Sequence, residues 1–253
     1  MSEASKAELR IERGGDRWTL VLDRTAKANA LSASLVEALI AAVGEAEAAG
    51  VQVLALRGEG RNFSAGFDFG GYEEQTEDDL VRRFVRIETL LQALARSRCL
   101  TVGFAHGRNF GAGVDLFGAC RWRVAAPGAT FRMPGLAFGL VLGTRRFAAI
   151  VGRERAREIL EGLVTFDAAR AREIGFVTRV GAEDAWGAVL DEAVATARLL
   201  PAASRALLYS VLDGDTDAAD MADLVRSASA PGLKERIRAY LDRNRAQTRV
   251  AAK

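Results

Sequence analysis

Two short stretches decide how this chain folds: Asn62-Phe63-Ser64-Ala65-Gly66-Phe67-Asp68 and, further on, Asn109-Phe110-Gly111-Ala112-Gly113-Val114-Asp115. Each follows a short apolar run, 51–56 before the first and 100–105 before the second, of the length and composition of a buried strand. The first is a turn of small residues with no regular helix after it. Ala65 and Gly66 permit backbone conformations and close contacts that larger residues forbid, which leaves the Phe67 amide free to face a pocket. The second opens a short helix, and at its start the unpaired N–H groups and the positive end of the helix dipole favour a negative oxygen at the Ala112 amide. Two amides from separate turns can converge on one oxygen, as a thioester carbonyl becoming an enolate requires. Asp115, three residues after Ala112 on the same helix, is then within reach of the carbons α or β to that carbonyl and is a candidate acid or base.

Outward from these turns the chain alternates strand and helix. Leu9 and Ile11, a turn at Gly14-Gly15, then Trp18, Leu20 and Leu22 predict a β-hairpin. Leu35, Leu39, Ala42, Val43 and Ala46 recur at helical spacing before the strand at 51–56. Thr76 with Asp79 forms a predicted capping box, ahead of a stripe of Leu80, Phe84, Ile87, Leu91 and Leu94. A strand at 100–105, a short helix at 111–118 and a strand at 120–125 follow, so the alternation repeats at roughly 45 residues. This predicts a spiral of repeated units with parallel pairing and helices outside. After Thr144 the chain reads as mostly helical, in segments 184–200, 201–212 and 215–245, with Pro201 and Pro231 as helix-start residues.

Composition narrows the function classes. The chain has 253 residues, 49% hydrophobic, enough for one large α/β unit with a helical appendage. Thirty-five basic and 33 acidic residues leave a formal charge of +2, which gives no reason to expect nucleic acid. Cys99 and Cys120 are too few and too far apart for a disulfide framework or a four-ligand zinc site, and no metal is expected. Residues 1–10 lack the apolar segment of a signal peptide and no run is long enough for a membrane span, so a cytoplasmic protein without membrane partners is the expectation. A serine hydrolase is disfavoured because Asn62-Phe63-Ser64-Ala65-Gly66 lacks the first glycine of a nucleophile elbow and His106 is the only histidine. The dinucleotide fingerprint and the P-loop are both missing.

On these residues the chain resembles the crotonase, or enoyl-CoA hydratase and isomerase, superfamily from about Leu9 to Arg245. Phe63-Ser64-Ala65-Gly66-Phe67-Asp68 matches the family's Phe-Ser-Ala-Gly-x-Asp turn. Gly111-Ala112-Gly113-Val114-Asp115 stands where the family has Gly-Gly-Gly-x-Glu, and residues 22–31 match its opening segment, with Thr25 where proline is usual. The resemblance implies an α/β fold, a crotonase-like spiral of ββα repeats (1–198) with a C-terminal helical region (199–253) used in trimerisation. It implies that Phe67 and Ala112 supply the two oxyanion amides and that Asp115 stands in for the first catalytic glutamate, one methylene shorter. Ala26, Ala28, Ala65, Gly111, Pro134 and Gly135 would border the CoA thioester. Asp68 joins that set, serving chiefly the turn's own hydrogen bonds. Ala171-Arg172-Glu173-Ile174-Gly175-Phe176-Val177 and Arg238-Ala239-Tyr240-Leu241-Asp242-Arg243 resemble later landmarks, and in the family the terminal aromatic and basic residues, here Tyr240 and Arg243, often touch CoA bound to a neighbouring subunit. The implied partners are an acyl-CoA substrate and further copies of the chain, as a homotrimer or homohexamer. Coenzyme A enters only as part of the substrate, with no separate cofactor.

The pattern departs at Met133-Pro134-Gly135, where typical hydratases place a second glutamate in Gln-Pro-Glu. The loop at 136–143 has no ionisable side chain. Losing one member of an acid–base pair costs about 10²- to 10⁴-fold in rate, so syn-hydration by the usual dyad is not expected. A double-bond shift, protonation of an enolate after decarboxylation, or slow hydration needs only one carboxylate. Glu73 and Glu74 are candidates only if their loop folds inward. The alternative to an enzyme is an acyl-CoA binder of this fold that has lost catalysis.

Overall fold

The computed structural model describes residues 7–251. Strands β1 (Leu9–Gly14) and β2 (Arg17–Leu22) form the expected antiparallel hairpin. Helix α1 (Ala33–Ala48) leads to β3 (Val53–Gly58), and α2 (Glu77–Ala95) to β4 (Leu100–Ala105). The Thr76–Asp79 capping box is present at the start of α2. After His106 and Gly107 the chain enters β5 (Arg108–Phe110), then α3 (Ala112–Gly118), β6 (Trp122–Ala125) and β7 (Thr130–Arg132). The remainder is α4 (Thr144–Val151), α5 (Arg153–Glu161), β8 (Phe166–Asp167), α6 (Ala168–Glu173), β9 (Arg179–Val180), α7 (Trp186–Arg198), α8 (Ala202–Asp213), α9 (Asp217–Ala228) and α10 (Leu233–Ala251).

The strands make two sheets, one in the order β1-β2-β3-β4-β6-β9 and a smaller one in the order β5-β7-β8. Beyond the hairpin, every pair in the larger sheet is parallel. Twice the chain leaves the larger sheet and adds a short parallel strand to the smaller one, β4 into β5 and β6 into β7. This is the ββα spiral. Both faces of β3 and β4 are covered, which is why they read as continuous apolar runs rather than alternating ones. Leu54 and Leu56 face α1 and α2, while Val53, Ala55, Val102 and Phe104 pack against Trp186, Ala193 and Ala197 of α7.

Residues 215–245 divide into α9 and α10, separated by Pro231-Gly232, and α8 begins immediately after Pro201. Helix α9 lies on α2, where Arg96 reaches Asp217 at 2.8 Å, and α10 lies over a one-turn 3-10 helix at Gly135–Phe138. Phe117 of α3 stacks on Phe131 at 5.5 Å, and Phe147, Phe166 and Phe176 complete an aromatic cluster that backs α3 from below. Among the described residues no helix is long and apolar enough to cross a membrane. Cys99 and Cys120 are buried free thiols, and burial pushes the Cys120 thiol up to about 12.

Candidate active site

Three segments are zipped together at the ends of β2, β3 and β4. Ala28 and Asn29 both take left-handed φ values, 49° and 55°, a conformation that asparagine tolerates far better than alanine. The buried Asn29 side chain donates from Nδ2 to the carbonyls of Glu59 and Asn62, each at 2.9 Å, and accepts from the Arg24 N–H. Ser64 Oγ donates to the Asn29 carbonyl at 2.8 Å and accepts from the Gly66 N–H. Ala65 N–H bonds to the Ala28 carbonyl, Leu31 N–H to that of Gly66, and Phe110 N–H to that of Ser64.

Glycine permits the last approach. Gly66 has φ +80°, and a Cβ there would collide with the Phe110 carbonyl and lie 3.1 Å from the Ala112 nitrogen. A Cβ on Gly113 would lie 2.5 Å from the Ser64 carbonyl oxygen. The two turns therefore touch backbone to backbone. Among the described residues no acceptor takes the N–H of Phe67 or of Ala112, and both residues line one cavity.

That cavity holds about 610 Å³ including its mouth. Phe67, Phe69, Phe84, Met133, Phe138 and Leu140 make most of its wall. Phe67 stacks on Phe84 at 4.3 Å, and Arg83 lies over the Phe67 ring at 4.2 Å while donating to the Asp68 carbonyl. Tyr240 of α10 closes the far side beside Phe138. The polar side chains in the lining are those of Asp115, Thr144 and Tyr240, and among the described residues no Lys, Arg or His joins them.

Asp115 is 7% exposed, and its Oδ1 is sealed off with no hydrogen-bond partner among the described residues. Burial drives its carboxyl well above the usual carboxylate range; the nearby Arg146 charge opposes that rise and Glu88 reinforces it. Gly143, at φ +61°, precedes α4, and a Cβ there would lie 2.7 Å from Asp115 Cγ. The bare backbone of Gly143 thus makes room for the carboxylate. A buried carboxyl of raised proton affinity, beside two free amides in an apolar cavity, can exchange a proton with a bound molecule whose oxygen the amides hold.

A sequence profile described as enoyl-CoA hydratase/isomerase matches residues 18–226. The chain belongs to that family. The "Probable enoyl-CoA hydratase echA6" of Mycobacterium bovis is 33% identical over 191 residues, 73% of this chain and 74% of the relative. A crystal structure from Bordetella parapertussis described as an enoyl-CoA hydratase/isomerase superposes with a TM-score of 0.91 at 57% identity, covering 92% of this chain and 98% of the other. An enoyl-CoA hydratase family structure from Thermobifida fusca, in complex with acetoacetyl-CoA, gives 0.74 at 26% identity over 90% and 96% of the two chains.

Of the residues singled out for an enoyl-CoA hydratase/isomerase site, Ala65, Gly111, Pro134, Gly135 and Tyr240 line the same cavity as Phe67, Ala112 and Asp115. Ala26, Ala28, Asp68 and Arg243 lie outside it. Ala26 is exposed in the turn at Thr25–Lys27, and Ala28 gives its carbonyl to Ala65. Asp68 pairs with Arg24 at 2.7 Å and accepts from the Gly70 N–H, while Arg243 donates to the Ala137 carbonyl at 3.0 Å. Glu73 and Glu74 are exposed and absent from the lining. His106 Nε2 is 2.9 Å from the Gly60 carbonyl oxygen, beside Trp186, and is also outside the cavity. Sequence reasoning missed Arg146 and Glu88. Glu88 did carry a signal: it is a charged residue within the apolar stripe of α2.

Proposed function

We propose that this chain moves a double bond within an enoyl-CoA thioester. Its amides at Phe67 and Ala112 would hold the thioester oxygen, and Asp115 would be the single proton carrier. The observation that carries this reading is that Asp115 is the only carboxylate in the cavity lining among the described residues. In a 3-enoyl thioester the Asp115 carboxylate takes a proton from the α carbon, and the electron pair spreads into a dienolate whose oxygen lies against the two amides. The same carboxyl then returns the proton to the γ carbon, giving the conjugated 2-enoyl thioester with no net gain or loss of atoms. A raised proton affinity makes Asp115 a stronger base once ionised. Hydration by a pair of carboxylates has no second member, since Gly135, which lines the cavity, stands where the family's typical hydratases carry the second glutamate. For decarboxylation, no cationic side chain among the described residues lines the cavity to receive a substrate carboxylate. Coenzyme A belongs to the substrate in this reading, and no other cofactor is required. The active form would be a homotrimer or homohexamer.

The test is conversion of a 3-enoyl-CoA to its conjugated isomer, followed by ultraviolet absorbance. Asp115→Asn should lower kcat by about 10²- to 10⁴-fold while leaving affinity for a non-reacting acyl-CoA intact. Unchanged turnover would remove Asp115 from the reaction. A wild-type chain that binds the thioester and turns over no enoyl-CoA would instead be the catalytically impaired binder. Because only ionised Asp115 can accept the proton, kcat/KM should climb with pH through a midpoint above the ordinary carboxylate range.

A further inference from the structure

Arg146 enters the core from α4, and its guanidinium ends among buried acids. Nη2 donates to Glu88 Oε1 at 3.1 Å, and Glu88 is 1% exposed. Gln92 donates to that same oxygen. Arg146 Nη1 is sealed from solvent and has no partner among the described residues, and Asp115 Oδ1 is in the same condition. Both residues line one smaller void behind α3, of about 190 Å³ where the main cavity has about 610 Å³, and its other walls include Val114, Met133, Phe147 and Phe176. Asp115 and Met133 line both this void and the main cavity, so the carboxyl forms part of the partition between them. A buried cationic donor and a buried carboxylate acceptor facing one small space are groups that proteins pair directly or bridge with water.

We infer that Arg146 is a positioning residue for Asp115, coupled to it by one water molecule that occupies this void and bridges Arg146 Nη1 to Asp115 Oδ1. The inference rests on the reading of Asp115 as the proton carrier. Glu88 and Gln92 fix the guanidinium from α2. The bridge holds one carboxyl oxygen away from the substrate and leaves the other free for it, and the cation offsets part of the burial that disfavours the ionised acid. The remaining charged neighbours act elsewhere. Arg145 turns outward to Asp220 and Asp223, at 2.8 and 2.6 Å, and Asp220 bears on Glu88. From α10, Tyr240 faces the cavity side of the partition.

The decisive measurement is the titration of the Asp115 carboxyl in the full-length free protein by carbon-13 NMR, assigned by the signal that Asp115→Asn removes. Arg146→Met should raise the midpoint by about one pH unit or more, as expected for loss of an opposite charge within a few ångströms. Arg146→Lys should bring the midpoint part of the way back, and Glu88→Gln should lower it. In turnover below the midpoint, Arg146→Met should cut kcat/KM about tenfold for each pH unit by which the midpoint rises, with KM little changed because Arg146 does not line the cavity. If Arg146→Met fails to fold, the lower midpoint expected of Glu88→Gln still decides the matter. One midpoint shared by wild type and the folded variants overturns the proposal, as does a crystal structure with a dry void or a direct Arg146–Asp115 contact. The expected changes of midpoint in a chain that isomerises nothing would uphold the coupling and discard the proposed reaction.

Discussion

Gly66 holds the site together at the scale of a single residue. It adopts a left-handed φ with the Phe110 carbonyl where a Cβ would go, so an alanine there adds backbone strain of about 1–2 kcal/mol to overpacking of about 1–3 kcal/mol. Gly66→Ala should lower Tm by roughly 2–4 °C for each kcal/mol lost. By forcing the Phe67 amide away from that of Ala112, it should also cut kcat about 10²-fold. A thermal melt and a turnover assay on one preparation check both, and wild-type turnover would show that the spacing of the two amides is immaterial. The sequence exposes this residue because the constraint is local: a glycine in a small-residue turn after a strand marks a backbone that something approaches. Arg146 and Glu88 lie 58 positions apart, and no spacing rule joins them. Their meeting depends on how α4 docks against α2, which only the folded chain specifies.

At the scale of elements, the cavity wall at 135–140 depends on a helix distant in sequence. Arg236 of α10 donates to the carbonyls of Phe138, at 2.8 Å, and Gly139, and also to those of Ser227 and Ala230. Arg243, two turns on, donates to Ala137. The wall is a single 3-10 turn, and these charged donors bind it to α9 and α10. Arg236→Ala removes hydrogen bonds to a cation worth about 1.5–3 kcal/mol. It should raise KM for the acyl-CoA more than it lowers kcat, since Phe138 and Leu140 shift while Asp115 stays on α3. Steady-state kinetics would show this, and an equal fall in kcat would place the wall in the chemistry instead. Helices with clear periodicity, α1 and α2, were legible, α2 with its capping box, and so was the hairpin. The strands of the smaller sheet were not individually legible, because two or three residues are too few to show a period of two. Nor could periodicity place α10 against the 135–140 turn, since it says which face is apolar and not what covers it.

At the scale of the whole molecule, α8 and the turn before it leave apolar side chains uncovered. Leu199, Leu207, Val211 and Leu212 are each at least 66% exposed. Positions 207, 208, 211 and 212 share one helical face, a pattern that marks an association surface. The proposed assembly would bury it. Replacing Leu207 and Val211 together by Asp should reduce the mass found by sedimentation toward that of one chain, and an unchanged mass would put the contact on another face. Association is a property the fold makes plausible and the sequence suggests only by resemblance, since exposure can be judged only after the other faces of α8 are packed. The cavity is likewise a product of the whole chain, with lining residues from Ala65 to Tyr240. A molecule seated there has no partial site to occupy on an incompletely folded chain. Its binding energy is therefore added to the folding equilibrium of the entire unit: about 2.7 kcal/mol at a hundredfold excess over Kd, felt at β2 as fully as at α10.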